Sequence, residues 1–244
     1  MTLELGPVSF TSADAAEKRT TAGYGLWPWV ELARRNGVNV ERLCENTGVE
    51  LRQLRQIFVR WPQSVCNRAA QWSCDQFGPE AAMAASLTVE AGQFQLLELL
   101  VRTAETVGHG LRIGCWLFPL LHNGGRVVHD RLPGGLHSVT WVPPKDYLVH
   151  SAYVELTFGV TVLGIRRETG VSDAAATSVC FHRAAPPELG LYAQVLGCVP
   201  EFGAGEDRIV FEPEVANLRM TRRNREVHLK ARAIAEELIA SDEI

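Results

Sequence analysis

An imidazole, a phenol and a carboxylate stand close together at His150, Tyr153 and Glu155, inside the apolar run from Leu148 to Ile165. A carboxylate in such surroundings is costly unless it is neutralised or hydrogen-bonded. Glu155 therefore either orients a polar ligand or is clamped by nearby backbone or by an arginine such as Arg126, Arg183 or Arg208. His150 and Tyr153 offer hydrogen-bond donors at the edge of an apolar cavity, the usual composition of a ligand pocket, or else serve only packing. Of the six tryptophans, Trp116 and Trp141 are the two expected to wall such a cavity, because they fall on a central helix and a hairpin that should face each other. Glu155 and His150 would also be the acid and base of a small-molecule enzyme. Against that reading, the chain has no G-x-S-x-G elbow, no H-E-x-x-H, no P-loop and no Rossmann glycine fingerprint. The expectation is a protein that is not an enzyme and uses no cofactor.

Metal and redox chemistry have little to work with. The six cysteines, Cys44, Cys66, Cys74, Cys115, Cys180 and Cys198, are widely spaced without a C-x-x-C pair, and read as reduced, mostly buried thiols. His182 has no histidine at i+2 or i+4, so no metal site is expected there. Its place between an apolar strand and a Pro-Pro corner suits a side chain that pins a turn.

With 46% hydrophobic and 21% charged residues the chain can bury a full core unaided. A net charge of −4 gives no field that would attract a polyanion, and the basic cluster Arg219, Arg222, Arg223 and Arg225 reads as a solvated face. No run of about 18 uncharged apolar residues and no basic-then-apolar start is present, so a soluble, cytoplasmic protein with no membrane contact is expected.

Residues 1–23 are small, polar and aperiodic, and read as a flexible arm. From Trp27 to Val89 the apolar spacing is helical, broken at Gly37, Gly48 and Gly78-Pro79, which predicts several short helices. An amphipathic helix carrying Leu96, Leu97, Leu100, Val101 and Ala104 follows. Gly108 and Gly110 interrupt the pattern, and Leu111–Leu121 resumes it as a second helix. Period-two alternation on either side of Pro133-Gly134-Gly135 predicts a hairpin ending at Val142. Tyr147–Thr169, apolar nearly all round, predicts a buried helix. Ser178–His182 and Arg208–Phe211 are further strands, with a helix around Pro187–Leu196 and an extended piece at Val199–Phe202 between them. The fold class is therefore α+β: a mainly antiparallel sheet of about four to five strands packed against a buried long helix, with an N-terminal helical region. Residues 24–218 form the main domain and 219–244 a C-terminal helix, whose Val227, Ala231, Ile234 and Leu238 make one apolar seam suited to pairing.

The runs V-C-F-H-R-A-A-P-P-E at 179–188, Y-A-Q-V-L-G-C-V-P-E-F-G-A at 192–204 and D-R-I-V-F at 207–211 resemble a signature of AraC-type transcription regulators, in their N-terminal arabinose-binding-like sensor domain. Phe181, His182, Pro186, Tyr192, Gly197, Phe202, Gly203, Asp207 and Phe211 carry the resemblance. L-A-R-R-N-G-V-N-V-E-R-L at 32–43 and G-Q-F-Q-L-L-E-L-L-V-R-T-A-E-T-V at 92–107 look like that domain's opening and central helices.

The resemblance implies a bacterial regulator that binds a small-molecule effector, often as a dimer, and passes the signal to two helix-turn-helix units. The residues after Phe211 are too few for such a unit. The expectation is a sensor domain without its DNA-binding half, making no direct DNA contact itself. Its partners would be an unknown effector and a second chain, in a homodimer or a heterodimer with a related regulator. The alternative is a ligand-free interaction module that pairs with a full-length regulator.

Overall fold

The computed structural model describes residues 19–54, 59–123, 125–145 and 148–240. The expectations placed on residues 1–18, Phe58 and Tyr147 lie outside them.

Thr20–Ala22, expected from the sequence to lie in a flexible arm, is ordered and buried. It forms a strand, β1, paired antiparallel with β2 (Arg60–Pro62). Between and after these strands run α1 (Trp27–Arg35), α2 (Val40–Thr47), α3 (Leu51–Leu54), α4 (Gln63–Phe77) and α5 (Ala81–Ser86). Asn39 caps α2 by accepting a hydrogen bond from the Glu41 amide. Trp29, Leu43, Trp61 and Ala69 form the buried centre of this helical layer, and Ala152 and Leu156 of the long helix α8 (Ser151–Thr169) complete it. Burial of each such large side chain stabilises the fold by about 1.5–3 kcal/mol.

The second layer begins with α6 (Gln95–Thr103) and α7 (Val107–Leu121). Contrary to expectation, Gly108 and Gly110 lie inside α7. They are required there by close packing: a Cβ at Gly108 would stand 2.5 Å from His137 Cε1, and one at Gly110 would stand 2.9 Å from Met220 Cε. Each glycine costs the helix about 1 kcal/mol relative to alanine, which tertiary contact outweighs. At the other end of α7, the buried Arg60 donates to the carbonyls of Pro119 and Leu120 and to Thr20, so the helix terminus is tied to β1 and β2.

The expected hairpin is β3 (Arg126–Arg131) and β4 (His137–Val142), with Val127 opposite Trp141. With β5 (Ser178–Phe181), β6 (Glu201–Phe202) and β7 (Asp207–Phe211) it makes a five-stranded sheet of order β3-β4-β7-β5-β6. The sheet is mixed: β5 and β6 pair parallel, all other neighbours antiparallel. Parallel strands need a crossover, and α9 (Gly190–Leu196) supplies it. Val139, Ile209 and Val179 stand in one row across three strands and face Phe158 and Val162 of α8.

Helix α8 starts later than the apolar run suggests. Leu148 is 82% exposed, and His150 accepts from the Ala152 amide as the N-cap. After α10 (Pro213–Ala216) a connector runs back over the corner between α6 and α7, with Val107 N donating to Leu218 O and Met220 N to Glu105 O. It leads into α11 (Arg225–Ala240).

Candidate functional site

Between α6, α7, α8 and the hairpin lies a partly open cavity of about 170 Å³, with Gly25 and Met220 of the connector also in its wall. Leu97, Val101, Leu111, Phe118, Val160 and Ile165 make its wall almost wholly hydrocarbon. The near absence of a polar face on α8 explains the location. That helix serves the helical layer with one side and must pack or enclose apolar space with the others.

Each end of the cavity carries polar groups. At one, the fully buried Tyr153 hydroxyl has Thr21 beside it but no well-formed hydrogen bond, and burial pushes its phenol well above the ordinary range. Behind it, Thr21 donates to Gln63 Oε1 at 2.9 Å and lies 2.8 Å from His122 Nδ1. Burial, reinforced by Arg60 and Arg19, pulls His122 down to about 3, so its imidazole is neutral at physiological pH. That ring stacks on Trp141, at 5.4 Å between centroids, and stands 4.6 Å from the Tyr153 ring.

Two arginines and two glutamates mark the other end. Arg167 reaches Glu98 at 3.2 Å and Glu168 at 3.0 Å, and Glu98 also accepts from the amides of Gly92 and Phe94. Arg102 Nε lies 3.4 Å from Glu168 Oε2, an ion pair without a hydrogen bond, so this buried N–H is unsatisfied. The four charges balance, leaving one donor unused.

Of the residues singled out from the sequence, Tyr153 alone lines this cavity. Trp141 stands behind it, edge-on to Phe118 at 5.7 Å. Trp116 faces away, toward α11, with the Arg232 guanidinium 5.7 Å from its ring centre. His150 is at the N-cap of α8, with Nε2 3.1 Å from Gln71 Oε1, and burial lowers its pKa.

Glu155 is 1% exposed and lies on the other side of α8, clamped by an arginine. Arg183 donates to it through Nε and through Nη2, the latter at 3.1 Å, while the Tyr192 hydroxyl donates to the same carboxylate. Burial first, and then the Glu155 charge, raise the Tyr192 phenol well above its usual range. Arg183 also donates to Pro79 O at 3.1 Å and lies over the Phe202 ring at 5.2 Å. Phe181, Pro186, Tyr192 and Phe211 are buried in the same region, and a Cβ at Gly197 would stand 2.3 Å from that of Ala175. His182 sits at the adjoining turn: its amide donates to Asp207 Oδ1 at 2.8 Å and its Nδ1 lies 3.0 Å from Ala204 O, while Gly203 N donates to Arg183 O.

The last helix packs on its own chain by a stripe that shares only Ala231 with the expected pairing seam, so Ala231 is buried within the chain and is not free to pair. His228, Ala231 and Ala235 meet Leu100, Ile113 and Leu117 of α6 and α7. His228 belongs to this stripe because its Nδ1 lies 3.1 Å from Leu100 O and 3.2 Å from Thr103 Oγ1, which makes burial of an imidazole affordable. Val227 and Ile234 remain 38% and 51% exposed, and Leu238 is half-buried.

Sequence reasoning missed Glu98, Arg102, Arg167, Glu168 and Met220. A signal existed for four of them: charged residues at the edge of two otherwise apolar helical stripes.

A family model described as the arabinose-binding domain of AraC transcription regulators, N-terminal, matches residues 37–220. Among solved structures, the transcriptional regulator CdpR from Pseudomonas aeruginosa is similar at a TM-score of 0.62 and 12% identity. The match covers 90% of this chain and 65% of that one. At that identity the likeness is one of fold. No curated protein matches the chain. The family match spans α2 to the connector and takes in every cavity-lining residue except Gly25, so the chain belongs to the family of N-terminal arabinose-binding domains of AraC transcription regulators.

Proposed function

We propose that this chain is the effector-sensing part of an AraC-type transcription regulator and that its effector occupies the cavity between α6, α7, α8 and the hairpin. The observation that carries the reading is an almost wholly hydrocarbon cavity with Tyr153 in its wall, the buried hydroxyl of which has Thr21 beside it but no well-formed hydrogen bond. An orphan donor of this kind costs roughly 1–3 kcal/mol, which a ligand acceptor would recover. A cavity of this size is close to the roughly 150 Å³ that holds a benzene molecule. The effector is therefore compact and mostly apolar, with an acceptor oxygen directed at Tyr153. A free sugar fits poorly, because its hydroxyls would meet hydrocarbon.

The output runs through Met220. Its side chain walls the cavity, Thr221 next to it donates to Glu168 O at 2.8 Å, and Asn224 N donates to Thr103 O before α11 begins. An effector that favours one position of Met220 shifts α11, provided its affinity differs between the two arrangements. A net charge of −4 argues against direct DNA contact by this chain itself. Binding only the native state raises the melting temperature. A thermal-shift panel of small aromatic and branched aliphatic carbonyl compounds tests the proposal. Hits should be lost on filling the cavity by Gly114→Leu, and a flat panel would count against it.

A second reading is favoured by the exposed Val227 and Ile234 on α11: pairing of this helix with a second copy or with a related regulator. Light scattering of the Val227→Lys, Ile234→Lys double variant decides it. An unchanged mass removes that reading.

A further inference from the structure

A second cavity, of about 230 Å³, opens where the first turn of α7 meets β3, β4 and the residue after α10. Its character is opposite to that of the first. His109 and Arg112 come from α7, His129 and Arg131 from β3, His137 from β4, and Asn217 closes it. In the hairpin register Arg131 stands opposite His137, with His129 one diagonal away, and His129 Nε2 lies 2.9 Å from His137 Nδ1.

This is a concentration of basic groups without an anion. Among the described residues, neither the Arg112 nor the Arg131 side chain makes an ion pair or a hydrogen bond. The nearby carboxylates do not fill the gap. Glu105 is 3.6 Å from Arg219, and Asp130 is exposed at the strand position between His129 and Arg131. The electrostatic consequence is visible in the three imidazoles, whose pKa values are all lowered. Burial is the first cause in each; next come His228 and then Arg112 for His109, His137 and then Arg112 for His129, and Arg131 and then Arg112 for His137. Arg112 thus acts on all three rings. Arg232 on α11 adds to the positive field at His109. The pocket also sits at the positive end of a 15-residue helix, whose N-cap, Thr106, is part of its wall.

We propose that this pocket is a second ligand site, separate from the apolar cavity, and that it takes the phosphoryl group of a small molecule. A carboxylate can be saturated by a single guanidinium fork, whereas two guanidiniums and three imidazoles match an ion with three terminal oxygens. A phosphate monoester carries a charge of about −1.5 to −2 near neutral pH, and its second ionisation, near pH 6, lies in the range where imidazoles change charge. The His129–His137 pair can therefore take up a proton as the anion arrives. The cavity has room beyond the phosphoryl group, which points to an organic body attached to it.

The test follows the Cε1–H resonances of the histidines in the whole chain during titration with inorganic phosphate and, separately, with phenyl phosphate and with a short DNA duplex. Expected are saturable shifts of His109, His129 and His137 but not of His150 or His182, with phenyl phosphate binding at least as tightly as phosphate. The Arg112→Gln, Arg131→Gln double variant changes only exposed side chains and should weaken binding by about tenfold or more. The absence of saturable shifts in the unmodified chain, shifts that potassium chloride reproduces at equal ionic strength, or undiminished binding by a folded double variant would each overturn the proposal. Tighter binding of the duplex than of phenyl phosphate would overturn the assignment to a small molecule.

Discussion

Tyr153 and Arg102 line opposite ends of one apolar cavity, and the Tyr153 hydroxyl and the Arg102 Nε are each a buried donor without a well-formed hydrogen bond. Removing the first should separate folding from binding. Tyr153→Phe takes away an unsatisfied hydroxyl and should leave the melting temperature unchanged or higher, while the affinity of an effector found by thermal shift falls about tenfold through loss of one buried hydrogen bond. Calorimetric titration beside a melting curve checks both halves.

Arg183 and Glu155 should behave as a unit. Arg183→Ala leaves a carboxylate buried without its counter-charge and is expected to cost about 3–5 kcal/mol in urea unfolding. Glu155→Gln with Arg183→Met removes both charges and should cost less than the single Arg183 change. An equal or greater cost for the double variant would show that the clamp acts through packing alone.

His122 gives the fold an acid-sensitive point. Its folded pKa of about 3 lies below the unfolded value of about 6.5, so the unfolded chain binds the extra proton first. Its contribution is full above pH 6.5 and declines as the pH falls toward 3, by about 1.4 kcal/mol per unit. His109, His129, His137, His150 and His228 shift in the same direction. The diagnostic quantity is therefore the difference in slope between the unmodified chain and His122→Gln. Stability measured across pH 4–6 should fall less steeply in the variant.

Helix α11 should tolerate change on one stripe and not on the other. Ile234→Lys is expected to alter stability by no more than about 0.5 kcal/mol. Ala235→Leu, which overfills the contact with α6 and α7, should cost about 1–3 kcal/mol. Chemical unfolding of the two variants side by side tests the assignment of the buried face.

The limits of the sequence are instructive at particular residues. Alternation sufficed for β3 and β4, since a one-residue slip would have turned Val139 and Trp141 outward. It could not show that Glu201–Phe202 pairs parallel to β5, because strand direction depends on the path of the crossover through α9. Leu148 looked like the start of a buried helix, but the helix waits for a capping side chain, which His150 provides. For Glu155 the chemistry was legible as a need for a partner, and Arg183 was one of three arginines considered. Choosing among them required knowing which strand lies over α8. Met220 left no readable trace as a cavity residue, because it takes that role only when the connector closes over α6.

That connector is short, and Asn217 near its start walls the basic pocket while Met220 near its end walls the apolar one. Two ligands that each prefer one setting of this strut are thermodynamically linked without touching. By reciprocity, whatever factor the first applies to the affinity of the second is returned in the same measure. Occupation of both proposed sites would therefore bring two chemical signals together in the connector, ahead of α11.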